Sequence, residues 1–173
     1  HGAGDSEGVR FMPARTGSAH AETVMRRIEG DISLSSRHSD VPKLLARART
    51  VTQRRSLIVI VTDATQPEQT RVSDDLIKSL SVRHQVIQIS VADIDPTSLD
   101  KGTDVVDVNE GPLPDFLLRD DQLSGEAANV MAMRRAAVTQ MLDKRGVIHV
   151  DVSSSEEVPR ALMRALERGA HVR

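Results

Sequence analysis

The sequence contains no cysteine, which excludes disulfides, thiol catalysis and cysteine-ligated zinc. Aromatic residues are almost absent too, because Phe11 and Phe116 are the only members of the Phe, Trp and Tyr group among 173 residues. Platforms for stacking nucleic acid bases or sugars are therefore missing, and the core has to be aliphatic. The formal net charge of −2 gives no electrostatic reason to expect a nucleic acid partner.

Long apolar segments are absent as well. The longest uninterrupted one, Leu57 to Val61, has the length of a strand, whereas a membrane-spanning helix needs about 18 apolar residues or more. The chain opens at His1 without an initiator methionine or a signal peptide, so we expect it to be an internal fragment of a longer protein. Its length suits a single domain over residues 1–173.

Alternating strand and helix patterns predict an α/β fold. Strands are predicted at residues 56–61, 85–91, 104–108 and 147–152, and helices at 19–29, 40–52, 72–82, 122–144 and 156–168. The first strand is a continuous apolar run, which is typical of a parallel strand buried on both faces, and the second is also expected to be buried. The order implies a doubly wound, mostly parallel sheet with helices on both faces.

Several residues mark the ends of the predicted helices. Arg145 and Gly146 are expected to close the longest helix, and Gly169 is expected to stop the last one. A serine at 153 or 154 with a glutamate at 156 or 157 predicts a capping box before the last helix.

Ligands of open α/β sheets bind beyond the carboxyl ends of the strands, and acidic residues occupy three such places. These are Asp63, Asp93 with Asp95, and Asp151 with Ser153. Asp63 is the leading candidate because it follows the most apolar strand, with Thr62 and Thr65 beside it. A carboxylate with hydroxyls suits a hard cation such as Mg²⁺ or Mn²⁺. The alternative is that Asp63 only caps the following loop or helix.

Ser39 is the second candidate, because with Asp40 it opens the helix that leads to the Asp63 strand. Ser39 and Asp63 could therefore lie near one another at the same edge of the sheet. The alternative for Ser39 is a helix N-cap, and the two roles do not exclude each other.

Histidines and arginines give weaker signals. No histidine pair has metal-ligand spacing, so His149, within a predicted strand, is interpreted as a packed or surface residue. Arg134 and Arg135 form one of several basic pairs interpreted as solvated helix faces. Arg134 falls on the apolar stripe of its helix, where it could extend to the surface or pair with a carboxylate.

Several of these segments together resemble the family catalogued as domain of unknown function 58. The similarity covers residues 13–20, the Ser39-Asp40 pair, residues 56–63, residues 133–135 of the long helix, and the segment from Arg145 to Asp151. The resemblance implies a von Willebrand A-like domain. Members of the family are typically encoded beside MoxR-type AAA+ ATPases.

A domain of this kind carries a metal-ion-dependent adhesion site built from three loops. The resemblance places Ser39 at the position of its threonine and Asp63 at the position of its aspartate, while the D-x-S-x-S loop is not in this sequence. The resemblance therefore implies at most a partial Mg²⁺ or Mn²⁺ site. It also implies that the first strands of the domain are missing. Residues 57–61 would then form an apolar sheet edge, open to the missing strands, a partner or a second copy.

The resemblance implies a protein-interaction module rather than an enzyme. The expected partner is a MoxR-type AAA+ ATPase or another protein, in the cytoplasm or at the cytoplasmic face of the membrane if the full-length parent is anchored there. The alternative is a metal-dependent phosphotransfer or phosphohydrolase domain with Asp63 as the nucleophile. Asp93 and Asp95 could add carboxylates, but neither Lys78 nor Lys101 lies in an evident motif for such chemistry.

Overall fold

The computed structural model describes residues 11–31, 40–92, 106–107, 111–112 and 121–170. Within these ranges the helices are α1 (Ser18–Asp31), α2 (Val41–Val51), α3 (Arg71–Arg83), α4 (Asp121–Lys144) and α5 (Val158–Ala170). The strands there are β1 (Leu57–Asp63), β2 (Gln85–Val91), β3 (Val106–Asp107), β4 (Gly111–Pro112) and β5 (Ile148–Val152).

The main sheet consists of β1, β2 and β5, all parallel, with β2 in the middle. Its register places Ile60 of β1 level with Gln88 of β2 and His149 of β5. Helices pack on both faces of this sheet, because separate apolar clusters form on either side of it. The prediction of an α/β fold with a parallel sheet covered by helices is therefore confirmed.

The two faces are covered by different helices, since neighbouring side chains of a strand point to opposite sides. Ile60 and Val86 point to the side that we call the α2–α4 face, where α2, α3 and α4 pack. That core contains Val41, Leu45, Ile60, Leu76, Ile77, Leu80, Val86, Val138, Met141, Leu142 and Val147. On the opposite side, the α5 face, Ala165 of α5 packs against Ile87 and Ile89.

β1 is buried on only one face, which corrects the expectation of a strand buried on both. The side chains of Leu57, Val59 and Val61 point to the α5 face and are 46%, 43% and 62% exposed. The reason is that the apolar cluster under α5 contains strand residues of β2 and β5 only. Among the strands of the described ranges, β1 is also an edge of the three-stranded sheet. An apolar run does not by itself reveal whether a helix covers each of its faces.

Residues 106–107, within the strand predicted at 104–108, form β3, which lies outside the main sheet. β3 pairs with β4 in an antiparallel ladder that places Val106 opposite Pro112. The prediction of a third strand of the main sheet was therefore wrong. Apolar alternation indicates an extended chain but does not specify which strand it pairs with.

The start of α2 differs from the prediction. Asp40, rather than Ser39, is the N-cap residue, and its Oδ1 accepts a hydrogen bond of 2.9 Å from the backbone N–H of Lys43. The N-cap is the residue directly before the first helical one, and α2 begins at Val41. Ser39 itself lies outside the described residues.

The end of α5 also corrects a prediction, because the helix passes through Gly169 to Ala170. A Cβ atom at Gly169 would collide with the side chain of Gln85. Gly169 thus allows α5 to approach β2 closely, which is a packing role that helix-ending rules do not distinguish from a C-cap.

Gly146 ends α4 as predicted. It has a φ of 66°, and its N–H donates to Asp143 O at 3.0 Å while that of Val147 donates to Leu142 O at 3.0 Å. These two bonds define a Schellman motif. The adjacent Arg145 forms a two-bond ion pair with Asp74 of α3, one bond being 2.7 Å from Nε to Oδ1. This contact lowers the pKa of the Asp74 carboxyl group and raises the pKa of Arg145.

Two predicted apolar helix faces are less buried than their pattern indicates. α1 has no buried residue. In α4, burial begins at Val138, whereas Val130 and Met131 are exposed. None of the helices in the described ranges is long and apolar enough to cross a membrane.

Candidate functional site

The α2–α4 face of the sheet changes from apolar to polar towards the carboxyl ends of its strands. Gln88 of β2 lies beside His149 of β5, and two residues further on Ser90 lies beside Asp151. We call these four residues the polar block. Gln88 and Ser90 are both 0% exposed. Polar side chains therefore occupy fully buried strand positions, where aliphatic residues are the usual occupants.

Hydrogen bonds connect the polar block. Gln88 Nε2 donates to the backbone oxygen of Gln66 at 2.8 Å and to Ser90 Oγ at 3.3 Å. Ser90 Oγ lies 3.1 Å from His149 Nε2, which in turn lies 3.1 Å from Asp151 Oδ1. Gln88 Oε1 is buried and has no partner among the described residues. Leaving such an oxygen unpaired costs about 1–3 kcal/mol, so stability alone does not explain this choice of residues.

The geometry of the polar block argues against a serine nucleophile. In a Ser-His-Asp triad the serine and the carboxylate contact different nitrogens of the imidazole ring. Here Ser90 Oγ and Asp151 Oδ1 both lie 3.1 Å from the same atom, Nε2 of His149. Ser90 is also fully buried. The block can give and accept hydrogen bonds, but it lacks the arrangement that activates a hydroxyl group.

A shallow pocket of about 190 Å³ opens between α4 and the carboxyl end of the sheet. It is lined by Ala64, Ala92, Arg135, Thr139, His149 and Asp151, and we call it the Arg135 pocket. Ala64 and Ala92 directly follow β1 and β2. Arg135 and Thr139 are four residues apart and therefore lie on one face of α4. The pocket is thus at the edge where open α/β sheets bind ligands.

Asp63, the leading candidate from the sequence, is the last residue of β1. Its Oδ1 accepts hydrogen bonds from the backbone N–H of Thr65 at 2.8 Å and from the Thr65 hydroxyl at 2.5 Å. This is a local turn of the kind that aspartate commonly forms. The structure therefore supports the capping role that was the alternative for Asp63.

The described residues do not by themselves fit a divalent cation. Mg²⁺ prefers six oxygen ligands, and one oxygen of Asp63 is already bonded to Thr65. Within the described ranges, no group of three or more His, Cys, Asp or Glu side chains could hold a metal ion. Ser39, Asp93 and Asp95 lie outside those ranges, so their metal-binding roles stay predictions.

Ser153 has a structural role at the start of α5. Its N–H and its Oγ both donate to Glu157 Oε2, each at 2.9 Å. These hydrogen bonds lower the pKa of Glu157. The expected pairing of a serine with a glutamate is confirmed, with a separation of four residues rather than the three of a standard capping box.

The sequence contained a signal for this site that its interpretation missed. Gln88 and Ser90 stand two apart in an otherwise apolar strand, and His149 and Asp151 stand two apart in another. A spacing of two puts each pair on one face of its strand. Whether the pairs meet depends on the register between β2 and β5, which local sequence does not give. Arg135 was interpreted only as part of a solvated basic pair.

These features define a Rossmann-like α/β protein with a polar pocket at the ligand-binding edge of its sheet. The chain belongs to the family described as protein of unknown function DUF58, which it matches over residues 3–137. The resemblance to that family is thereby confirmed. No curated protein and no solved structure matches the chain. The family match includes Arg135 and ends before β5, so His149 and Asp151 lie beyond it.

Proposed function

We propose that this chain is a protein-interaction module that binds its partner at the carboxyl-end edge of the sheet, around the Arg135 pocket. The observation that supports this most directly is the polar block behind that pocket. Gln88 and Ser90 are fully buried, and Ser90, which Gln88 contacts, lies 3.1 Å from Nε2 of His149 at the pocket wall without triad geometry. Such an arrangement fixes hydrogen-bonding groups in place for recognition and offers no activated nucleophile.

The partner that we propose is a MoxR-type AAA+ ATPase. Membership of the DUF58 family supports this proposal, because a von Willebrand A-like interaction domain is the architecture expected of its members. The parallel sheet with helices on both faces is compatible with that architecture.

A bridging Mg²⁺ or Mn²⁺ ion is a separable part of the proposal. Asp63 has one carboxylate oxygen, Oδ2, without a hydrogen bond to the described residues, and it would supply one ligand. The remaining oxygens would come from water, from the partner or from residues such as Ser39 that lie outside the described ranges. Titration of either ion into wild-type and Asp63→Ala chains, followed by capture of the ATPase, tests this part. If capture needs no metal and is unchanged by the substitution, the bridging ion is contradicted, while the proposed interaction is not.

The interaction itself can be tested by blocking the edge of the sheet. Ala92→Arg places a long side chain at the pocket wall, and we expect it to weaken capture of the ATPase by about tenfold or more, as at other interface centres. Ala21→Arg is the matched control, because Ala21 is an exposed residue of α1. Equal capture by both variants would contradict the proposal. Asp63-dependent release of phosphate from an aryl phosphate would instead favour the phosphohydrolase alternative.

A further inference from the structure

Arg135 is the basic residue that lines the pocket. Its guanidinium group makes no ion pair within the described ranges. Thr139, one helical turn later, lines the same wall, and its hydroxyl has no hydrogen-bond partner in the described part of the chain. Two hydrogen-bond donors on one face of α4 are therefore available to a ligand.

Asp151, the acidic residue of the pocket, has a hydrogen-bonding neighbour in the structure. Its Oδ1 lies 3.1 Å from His149 Nε2. On the inner side, Ser90 Oγ holds the same nitrogen at 3.1 Å. The described side-chain contacts of Asp151 and His149 are thus with each other and with Ser90, whereas the side chains of Arg135 and Thr139 have none with the described residues.

The size of the pocket limits what it can accept. A volume of about 190 Å³ is below the roughly 300–1,000 Å³ of pockets that hold whole drug-sized ligands. It suits a single side chain or a small ion. A guanidinium group binds carboxylate and phosphate through paired hydrogen bonds, which gives such a site its selectivity.

We infer that the Arg135 pocket is a binding site for one anionic oxygen group, namely the carboxylate of an acidic side chain on a partner protein. Arg135 donates to the carboxylate oxygens and Thr139 adds a hydroxyl donor. The choice of a partner's side chain over a free anion rests on the proposed function. The site itself does not, because its chemistry is defined by the pocket alone.

The test is a titration of the ¹⁵N-labelled chain followed by NMR, at constant ionic strength set with chloride. The titrants are sodium acetate, sodium phosphate and a blocked peptide with a single glutamate between glycines. We expect saturable shifts centred on the amides of Ala64, Ala92, Thr139 and His149. The peptide should bind at least as tightly as acetate and more tightly than phosphate.

Arg135→Gln should weaken this binding by about tenfold or more, because a charged donor pair is lost. Arg134→Gln is the matched control: it removes the same charge from the neighbouring residue, which does not line the pocket, and should leave binding unchanged. Arg135→Lys should bind with intermediate strength because it keeps the charge but not the paired donors. Both positions are exposed, so circular dichroism should show folded chains throughout.

Three results would overturn the inference: shifts that do not exceed those of chloride, equal weakening by Arg134→Gln and Arg135→Gln, or tighter binding of phosphate than of the peptide. The last result would assign the site to a free anion. Anion binding without capture of the ATPase would contradict the proposed partner but not the anion site. Capture of the ATPase by variants that no longer bind the anion would contradict the anion site but not the proposed partner.

Discussion

Replacement of Gly146 by alanine should destabilise the fold through the backbone alone. Gly146 has a φ of 66°, a conformation that costs residues other than glycine about 1–2 kcal/mol. No atom lies within 4 Å of the position that the new Cβ would occupy, so no clash adds to this cost. The lower entropy of the unfolded alanine chain offsets about 0.4–1 kcal/mol. We expect the free energy of unfolding to fall by about 1 kcal/mol.

Gly125, inside α4, provides a matched control for Gly146, which follows the end of that helix. The Cβ of an alanine there would also meet no atom within 4 Å, but Gly125 lies inside α4 and has no positive φ. Gly125→Ala should therefore stabilise the chain by about 0.5–1 kcal/mol. The same replacement of glycine by alanine would thus change the free energy of unfolding in opposite directions at two sites 21 residues apart (146 minus 125).

Urea denaturation followed by circular dichroism measures both differences. For a domain of this size, 1 kcal/mol corresponds to a change in melting temperature of roughly 2–4 °C. Gly146→Asn should be milder than Gly146→Ala, because asparagine tolerates the left-handed region. A Gly146→Ala protein as stable as the wild type would refute the Schellman motif as the end of α4, and so would two alanine variants that shift stability in the same direction.

Three further predictions concern the core, the acid response and the sheet edge. Leu142→Ala, at a position with 0% exposure, should lower the free energy of unfolding by about 2–5 kcal/mol in the same urea assay; a negligible loss would contradict the packing of α4. Because Arg145 lowers the pKa of Asp74 below its ordinary 3.8, the stability that this pair contributes is fully present above that value and is lost as the pH falls through the lower folded value. Arg145→Gln should therefore flatten the acid side of the stability–pH curve, and an unchanged slope would show that the pair has no net effect. Val61→Lys, on the exposed face of β1, should reduce self-association through that edge in sedimentation velocity; wild-type sedimentation that is independent of concentration would argue against self-association.

Local features of this protein were accessible from the sequence because they depend on consecutive residues. The strand predicted at residues 85–91 is β2, with the bounds that the structure has. Helical spacing predicted a helix at residues 72–82, and α3 extends over Arg71–Arg83. Gly146 after a long periodic segment predicted the end of α4. In each case the pattern and the structure that it specifies lie within one element.

The candidate site was less accessible. Asp63 was singled out correctly as a residue at the carboxyl end of a strand; its Oδ1 forms a local turn with Thr65, and its role as a metal ligand stays a prediction. His149 was interpreted as a packed or surface residue, although it connects the buried Ser90 to Asp151 at the pocket wall. These roles depend on neighbours in other strands, which spacing along the chain does not identify.

The sequence by itself determined that this chain is an α/β protein of the DUF58 family, and where most of its helices and strands lie. Only the tertiary structure decided that β1 is covered on one face, that β3 lies outside the main sheet, and that Gln88 and Ser90 meet His149 and Asp151. The physical reason is the range of the interactions. Periodicity and caps are fixed by neighbours along the chain, whereas strand register and helix coverage are fixed by packing between distant segments.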